Sequence, residues 1–212
     1  MSKLDASNFI YLDFYQDNVF EFILSQIYNC YNKMLNDYSS IENNENLIRN
    51  GLHKNYLENN QIREELQLIP YLFDTEVELY NEDDDSVKGR TDIKVYNAIE
   101  RTKNTNSYYI IECKRIDGTN ELNKKYVLNG INRFVENEKY PSYKKANGMI
   151  GFVVNPIDIE KNTKCFSDLK FHQFINDFKY SYVSNHKTTN SKDITLYHLM
   201  LDYSSKINIS SN

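Results

Sequence analysis

Apolar residues recur at three- and four-residue steps over residues 13–36. Val19, Phe20, Ile23, Ile27, Cys30, Tyr31 and Met34 fall on one face, which predicts an amphipathic helix. A polar break at 36–40 ends it. A second helix is predicted over 42–58, where Ile48, Leu52 and Tyr56 repeat every four residues with Leu47 and Leu57 beside them. The pattern then changes. Residues 71–80 (YLFDTEVELY) are aromatic and β-branched and read as a strand, and the acidic run 81–86 (NEDDDS) reads as a solvated turn.

Residues 90–96 alternate, with Thr91, Ile93 and Val95 against Arg90, Asp92 and Lys94, as a strand does. A polar connector spans 97–107. The third strand is 108–116. Asp117-Gly118-Thr119-Asn120 is a turn with a helix N-cap signal, and a helix is expected over 121–137. Residues 149–154 are apolar without alternation, which suits a strand covered on both faces. Beyond Pro156, a helix over 166–182, a loop over 184–192 and a closing strand over 194–203 complete the reading. The order is helix, helix, three strands, helix, strand, helix, strand: a mixed α/β fold with an antiparallel start. At 212 residues one domain is expected, with an extra N-terminal helix.

Composition narrows the function classes. Cys30, Cys113 and Cys165 are too few and too scattered for a disulfide framework or a zinc site, and they suit a reducing compartment. No apolar run is long enough to span a bilayer, and the N-terminus lacks the order of a signal peptide, so a cytoplasmic protein with no membrane association is expected. Charge is unevenly spread. Residues 1–87 hold 5 Lys and Arg against 17 Asp and Glu, a charge of −12, while residues 88–212 hold 20 against 13, a charge of +7. One reading is a fold with an acidic and a basic face. The other is a phosphate-facing surface in the second half.

The candidate chemistry lies in 89–116. Charges inside an apolar strand are costly to bury unless paired or metal-bound. If the second and third strands form a hairpin about the middle of their connector, the midpoint is residue 102 and Asp92 stands opposite Glu112. Opposed residues share a face with Cβ atoms about 4.5–5.5 Å apart. Lys114 shares the face of Glu112. Two carboxylates so close repel unless a cation lies between them. Oxygen ligands with room for water suit Mg²⁺ or Mn²⁺. A cross-strand ion cluster on a solvated sheet face is the alternative.

Asp92, then Glu112-Cys113-Lys114 after the lead-in Tyr108-Tyr109-Ile110-Ile111, resembles the PD-(D/E)XK nuclease superfamily, in the variant Gly89-Arg90-Thr91-Asp92-Ile93 that lacks the proline. The likeness covers roughly residues 42–155. It implies a restriction-endonuclease-like αβββαβ core, with a helical extension at 1–40 and a C-terminal helix and strand at 156–212. It further implies Mg²⁺-dependent hydrolysis of nucleic-acid phosphodiesters. Asp92, Glu112 and the backbone carbonyl of Cys113 would hold the metal, and Lys114 would assist the attacking water. Many members add a Glu from the helix before the first strand. Glu45 is the candidate, with Glu42 and Glu58 as competitors; an ordinary helix-start carboxylate is the other reading of Glu45. Glu76 and Glu78 could lean on the same site or form a polar sheet face.

A second constellation lies in the helix over 121–137. Tyr126, Gly130 and Arg133 share a stripe beside the core stripe Val127, Ile131, Phe134 and Val135. Gly inside a helix costs about 1 kcal/mol relative to Ala, which a close approach to the sheet or to a ligand would justify. Arg133 and Tyr126 would then reach a scissile or neighbouring phosphate, unless Arg133 simply pairs with Glu136 or Glu138. Lys125 and Arg90 are further phosphate candidates, and Lys124, Lys139, Lys144 and Lys145, with Tyr140 and Tyr143, could extend the track. The run Tyr-x3-Gly-x2-Arg-Phe followed by Lys139-Tyr140 resembles a segment of some bacterial restriction or defence nucleases. The expectation is a DNA endonuclease of restriction or anti-phage defence type, acting as a homodimer or with a partner protein. A non-catalytic or partner-activated module of the same fold is the alternative.

Overall fold

The computed structural model describes residues 12–81, 83–136, 139–166 and 168–208. Glu82 of the acidic turn, and Asn137 and Glu138 at the end of the 121–137 helix, lie outside the described residues. Helix α1 (Leu12–Asp37) buries Phe20, Ile23, Leu24, Ile27, Cys30 and Met34 against one face of the central sheet. Asn44 caps α2 (Glu45–Leu52) by accepting hydrogen bonds from the N–H groups of Asn46 and Leu47, and the helix runs on into a π-helical turn at His53–Leu57. A short helix α3 (Asn60–Glu65) leads to the sheet.

The strand expected over 71–80 breaks in two. Strand β1 (Tyr71–Thr75) belongs to the main sheet, while β2 (Glu78–Tyr80) pairs with β3 (Val87–Arg90) as a separate two-stranded ribbon. Glu76 lies at the break with φ 57°, a left-handed conformation that ends strand geometry. The strand expected over 90–96 breaks in the same way: after β3, residues Thr91 and Asp92 are irregular and β4 (Ile93–Asn97) begins afresh. Both breaks fall beside the candidate site.

Beyond β4 the polar connector contains a short helix, α4 (Ala98–Lys103), capped by Asn97. It leads to β5 (Tyr109–Ile116), helix α5 (Asn120–Tyr126), a π-helical turn at Val127–Ile131 and α6 (Asn132–Val135). Strand β6 (Ala146–Val153) is buried along its whole length, as its unbroken apolar run requires. After it come α7 (Ile159–Thr163), β7 (Lys170–Phe171), β8 (Ser181–Lys187) and β9 (Asp193–Asp202).

The protein is mixed α/β, with a seven-stranded mixed sheet flanked by helices. Strand order is β1-β4-β5-β6-β9-β8-β7. β1, β4 and β5 are antiparallel, β6 and β9 run parallel to β5, and β8 and β7 close the far side antiparallel. Among the described residues, the helix expected over 166–182 is absent. Its apolar residues divide between two cores: Phe166 packs with Tyr126 and Met200, whereas Ile175 and Phe178 pack with α1. Asp168 and Asp177, with φ 70° and 59°, turn the chain out of any helix. The loop expected over 184–192 begins later, because 184–187 extend β8.

Side chains alternate across β5. Tyr109, Ile111 and Cys113 enter the core under α1, and Ile110 and Ile116 enter the core under α5 and α6. Phe20 joins α1 to the first of these, stacked on Tyr109 at 4.3 Å and edge-on to Tyr197 at 5.6 Å. Phe20→Ala is expected to lower stability by about 3–5 kcal/mol, read as a reduced urea midpoint at unchanged slope.

Candidate active site

Registration between β4 and β5 brings the charges together. Ile93 pairs with Ile111 and Lys94 with Ile110. Carried one step further, this register sets Asp92 opposite Glu112, the pairing that a midpoint at residue 102 requires. Asp92 lies one residue before β4, however, so its side chain is free of the strand's alternation. Its Oδ2 accepts the backbone N–H of Cys113 at 2.8 Å and lies 3.6 Å from Lys114 Nζ. Its Oδ1 is held by Arg49 at 2.6 Å.

Glu112 has no exposure to solvent. Lys114 Nζ bonds its Oε1 at 2.6 Å, and Arg133 Nη1 lies 3.1 Å from the same oxygen. Tyr140 bonds Oε2 at 2.6 Å. Burial, and then the nearby charge of Asp92, push the Glu112 carboxyl up to about 7 despite these cations. For Lys114 burial acts downward, but Glu112, Asp92 and Glu45 outweigh it and hold the ammonium charged well above its usual range.

Of the three candidates in the second helix, Glu45 is the one brought in. It is the first residue of α2, its Oε1 lies 3.2 Å from Lys114 Nζ, and its Oε2 accepts the N–H of Arg115 at 2.9 Å. Lys114 Nζ also bonds the Cys113 carbonyl at 2.6 Å. Four oxygens, from Glu112, Cys113, Glu45 and Asp92, therefore surround one cationic nitrogen. The site opens to a polar cleft of about 380 Å³ lined by Asn43, Asn46, Arg115, Lys125, Asn129 and Arg133 among others.

Two residues of the site escaped the sequence reading. Arg49 is 2% exposed, and its guanidinium joins Asp92 to Glu76 at 2.6 and 2.5 Å. Glu76 in turn pairs with Arg90 at 2.7 Å. A signal was present, since Glu45, Arg49 and His53 repeat every four residues beside the apolar stripe. Tyr140, expected in a basic track and at the end of the nuclease-like segment but not at the site, bonds the buried Glu112. Its hydroxyl also meets the Arg90 carbonyl at 2.6 Å and receives a bond from Arg133.

Other candidates lie elsewhere. Tyr126 shares its sheet face with Glu112 and Lys114, but its ring stacks on Phe166 at 4.5 Å and its hydroxyl bonds His198 Nδ1 at 2.8 Å. It is a core residue, because the π-helical turn after it changes the phase of the helix before Arg133. That turn holds Gly130, where an added Cβ would lie 2.5 Å from Met149 Cε, so the glycine does allow the close approach of helix to sheet. Lys125 pairs with Glu121 at the cleft rim. Arg90 presents its carbonyl inward and its side chain to Glu76. Lys144 is tied to Glu100 at 2.6 Å. Glu78 bonds Tyr80 and stays outside the cluster.

No group of three His, Cys, Asp or Glu residues among the described residues is arranged to hold a metal ion. Two carboxylates and a carbonyl, with Glu45 beyond them, nevertheless form a hard-oxygen donor set of the kind Mg²⁺ or Mn²⁺ takes, centred on a point where a positive charge already resides. The residues fit such an ion chemically.

No protein-family model, curated protein or solved structure gives a significant match to this chain. No helix among the described residues is long and apolar enough to cross a membrane.

Two predictions follow from the charges. Arg49→Met leaves Asp92 and Glu76 without their shared cation, and should cost about 3–5 kcal/mol in denaturant unfolding, part of it recovered in the Arg49→Met/Asp92→Asn double variant. The second concerns pH. Burial holds His198 down to about 3, so an unfolded chain binds a proton near 6.5 that the folded one refuses. This makes stability fall as pH drops below 6.5. Glu112 acts oppositely: its raised folded value makes stability fall as pH rises from 4.5 through 7. His198→Gln should therefore expose the Glu112 trend. Glu112→Gln should expose a stability that falls by about 1.5–2 kcal/mol between pH 6.5 and about pH 5, read from urea midpoints across that range.

Proposed function

We propose that the chain is a divalent-metal-dependent nuclease of restriction-endonuclease-like fold that hydrolyses DNA phosphodiester bonds. The observation that carries this reading is the convergence of Glu112 Oε1, the Cys113 carbonyl, Glu45 Oε1 and Asp92 Oδ2 on the Lys114 ammonium at the floor of a polar cleft. The element order from α2 to β6 supports it: a helix, an antiparallel meander, the Glu112-Cys113-Lys114 strand, a helix, then a parallel strand.

Asp92, Glu112 and the Cys113 carbonyl would hold Mg²⁺ or Mn²⁺, with Glu45 at the margin. Bound there, the ion supplies Lewis acidity toward a phosphate oxygen and a nucleophile from water near neutral pH. Arg49 fixes the outer oxygen of Asp92, so that Oδ2 stays directed at the strand. Lys114, freed from its present contacts, would orient the attacking water or stabilise charge on the phosphate. Arg133 lines the cleft and carries a fork suited to phosphate. Arg115 and Lys125 at the rim would meet flanking phosphates. A bacterial or phage setting, with anti-phage defence foremost, rests on the resemblance of segment 126–140 alone.

A partner-activated or non-catalytic module is the second reading, and charge balance favours it. Four carboxylates (Glu45, Glu76, Asp92, Glu112) already face four cations (Arg49, Arg90, Lys114, Arg133). A metal must displace some of these pairs, and a docked partner could drive that exchange. The −12 charge of residues 1–87 offers it a surface.

Plasmid, linear duplex DNA, single-stranded DNA and RNA would be incubated with Mg²⁺, Mn²⁺ or EDTA. Metal-dependent DNA cleavage is expected, reduced about 100- to 1,000-fold or more in Asp92→Ala and Lys114→Ala. Cleavage on no substrate, or equal cleavage by the variants, sinks the reading; cleavage only with an added partner selects the second.

A further inference from the structure

Tyr140 has no place in the chemistry proposed above, yet among the described residues it is the one neutral side chain bonded to the buried carboxylate. Its ring is 2% exposed and packs edge-on to Phe134 at 5.0 Å. Its oxygen stands among three partners: Glu112 Oε2 and the Arg90 carbonyl, each at 2.6 Å, and the Arg133 guanidinium. A phenol has one proton to donate and lone pairs to accept with. Arg133 is the donor to it. The phenol's own proton is therefore left for one of the two oxygens. That proton goes to Glu112 when the carboxylate is ionised, since a charged acceptor makes the stronger bond.

The two acceptors matter because of what they carry. Glu112 lies on β5. The Arg90 carbonyl ends β3, two residues ahead of Asp92; Arg90 pairs with Glu78 and the Thr91 N–H bonds the Val77 carbonyl at 3.0 Å before regular pairing lapses. Asp92 itself falls between that last backbone bond and the start of β4 at Ile93. Tyr140, arriving from the loop after α6, touches the Arg90 backbone and Glu112 with one atom. By occupying Oε2 it also leaves Oε1 as the oxygen turned to Lys114 and the cleft.

We propose that Tyr140 is a positioning residue for the two carboxylates, fixing the rotamer of Glu112 and its separation from Asp92 for divalent-metal binding. The proposal rests on the metal-site reading above and adds a residue to it. The hydroxyl carries no charge, so its removal changes the arrangement of the ligands without changing the field that attracts a cation. Residues that orient metal ligands in this way commonly contribute 10- to 100-fold to metal affinity.

The test is Mn²⁺ binding, followed by electron paramagnetic resonance on the full chain, for the wild type, Tyr140→Phe and Phe134→Leu. Circular dichroism first establishes that each is folded at the temperature used. Tyr140→Phe keeps the ring and loses the hydroxyl, whereas Phe134→Leu loosens the packing under the ring and keeps the hydroxyl. Tyr140→Phe is expected to weaken Mn²⁺ binding about 10- to 100-fold, with Phe134→Leu binding as the wild type does. Wild-type affinity in Tyr140→Phe overturns the proposal and leaves the metal site standing. Equal weakening in both variants also overturns it, because packing alone then explains the effect. If the wild type binds no Mn²⁺, the nuclease reading falls and takes this proposal with it.

Discussion

A carboxylate with no surface on solvent is the constraint around which this site is built. Glu112 sits mid-strand in a sheet buried on both faces, where an isolated charge would cost far more than folding can supply. Lys114 two residues on, Arg133 from the helix above, and the Tyr140 hydroxyl are what let it ionise near neutrality at all. Every element that supplies one of these partners has its position fixed by that requirement as well as by its own apolar face.

The supply comes from both sides of the sheet. Helix α2 packs Ile48 and Leu52 into the core under α1, and its neighbouring stripe brings Glu45 to Lys114 and Arg49 to Asp92. Helices α5 and α6 pack Phe134 and Ile131 on the opposite face and bring Arg133 across. The two sets meet at the end of the β4–β5 hairpin because regular pairing stops there. Breaks at Glu76 and at Thr91–Asp92 release the backbone so that Asp92 and Glu76 can both turn to one guanidinium. Carried one step on, the β1–β4 register would make Glu76 and Asp92 cross-strand partners on the Glu112 face of the sheet, whereas α2 packs on the other.

Much of this was legible from residue pattern. Continuous apolar runs marked β6 and β9, a three-and-four spacing marked α1, and the symmetry of the hairpin about its connector set Asp92 against Glu112. The family resemblance asked for a glutamate in the second helix, and the apolar stripe put Glu45 ahead of Glu42 and Glu58. What escaped was of a different physical kind. A left-handed Glu76 carries no compositional mark, because glycine is what the eye expects at φ 57°. Arg49 carried no mark of burial in the sequence because a buried arginine is defined by partners distant in the chain. The aromatics at 166–178 imitated a helical stripe while serving two cores on opposite sides of the sheet edge. Tyr126 had the right spacing and the wrong phase, since one π-helical turn separates it from Arg133.

Charge balance within the cluster bears on how such a site could work. Opposed carboxylates ordinarily make a site that waits for a cation, and here the chain supplies its own in the Lys114 ammonium. Lysine is suited to this exchange where arginine is not. Its ammonium is a compact charge on a flexible stem, whereas the guanidinium of Arg49 is planar and locked to two acids at once. The stem of Lys114 runs beside Gly130, with 3.6 Å between its Cγ and the place a Cβ would occupy. On the proposed reading, the groups held by arginine and tyrosine stay in place, and the lysine is the group that would yield to a metal.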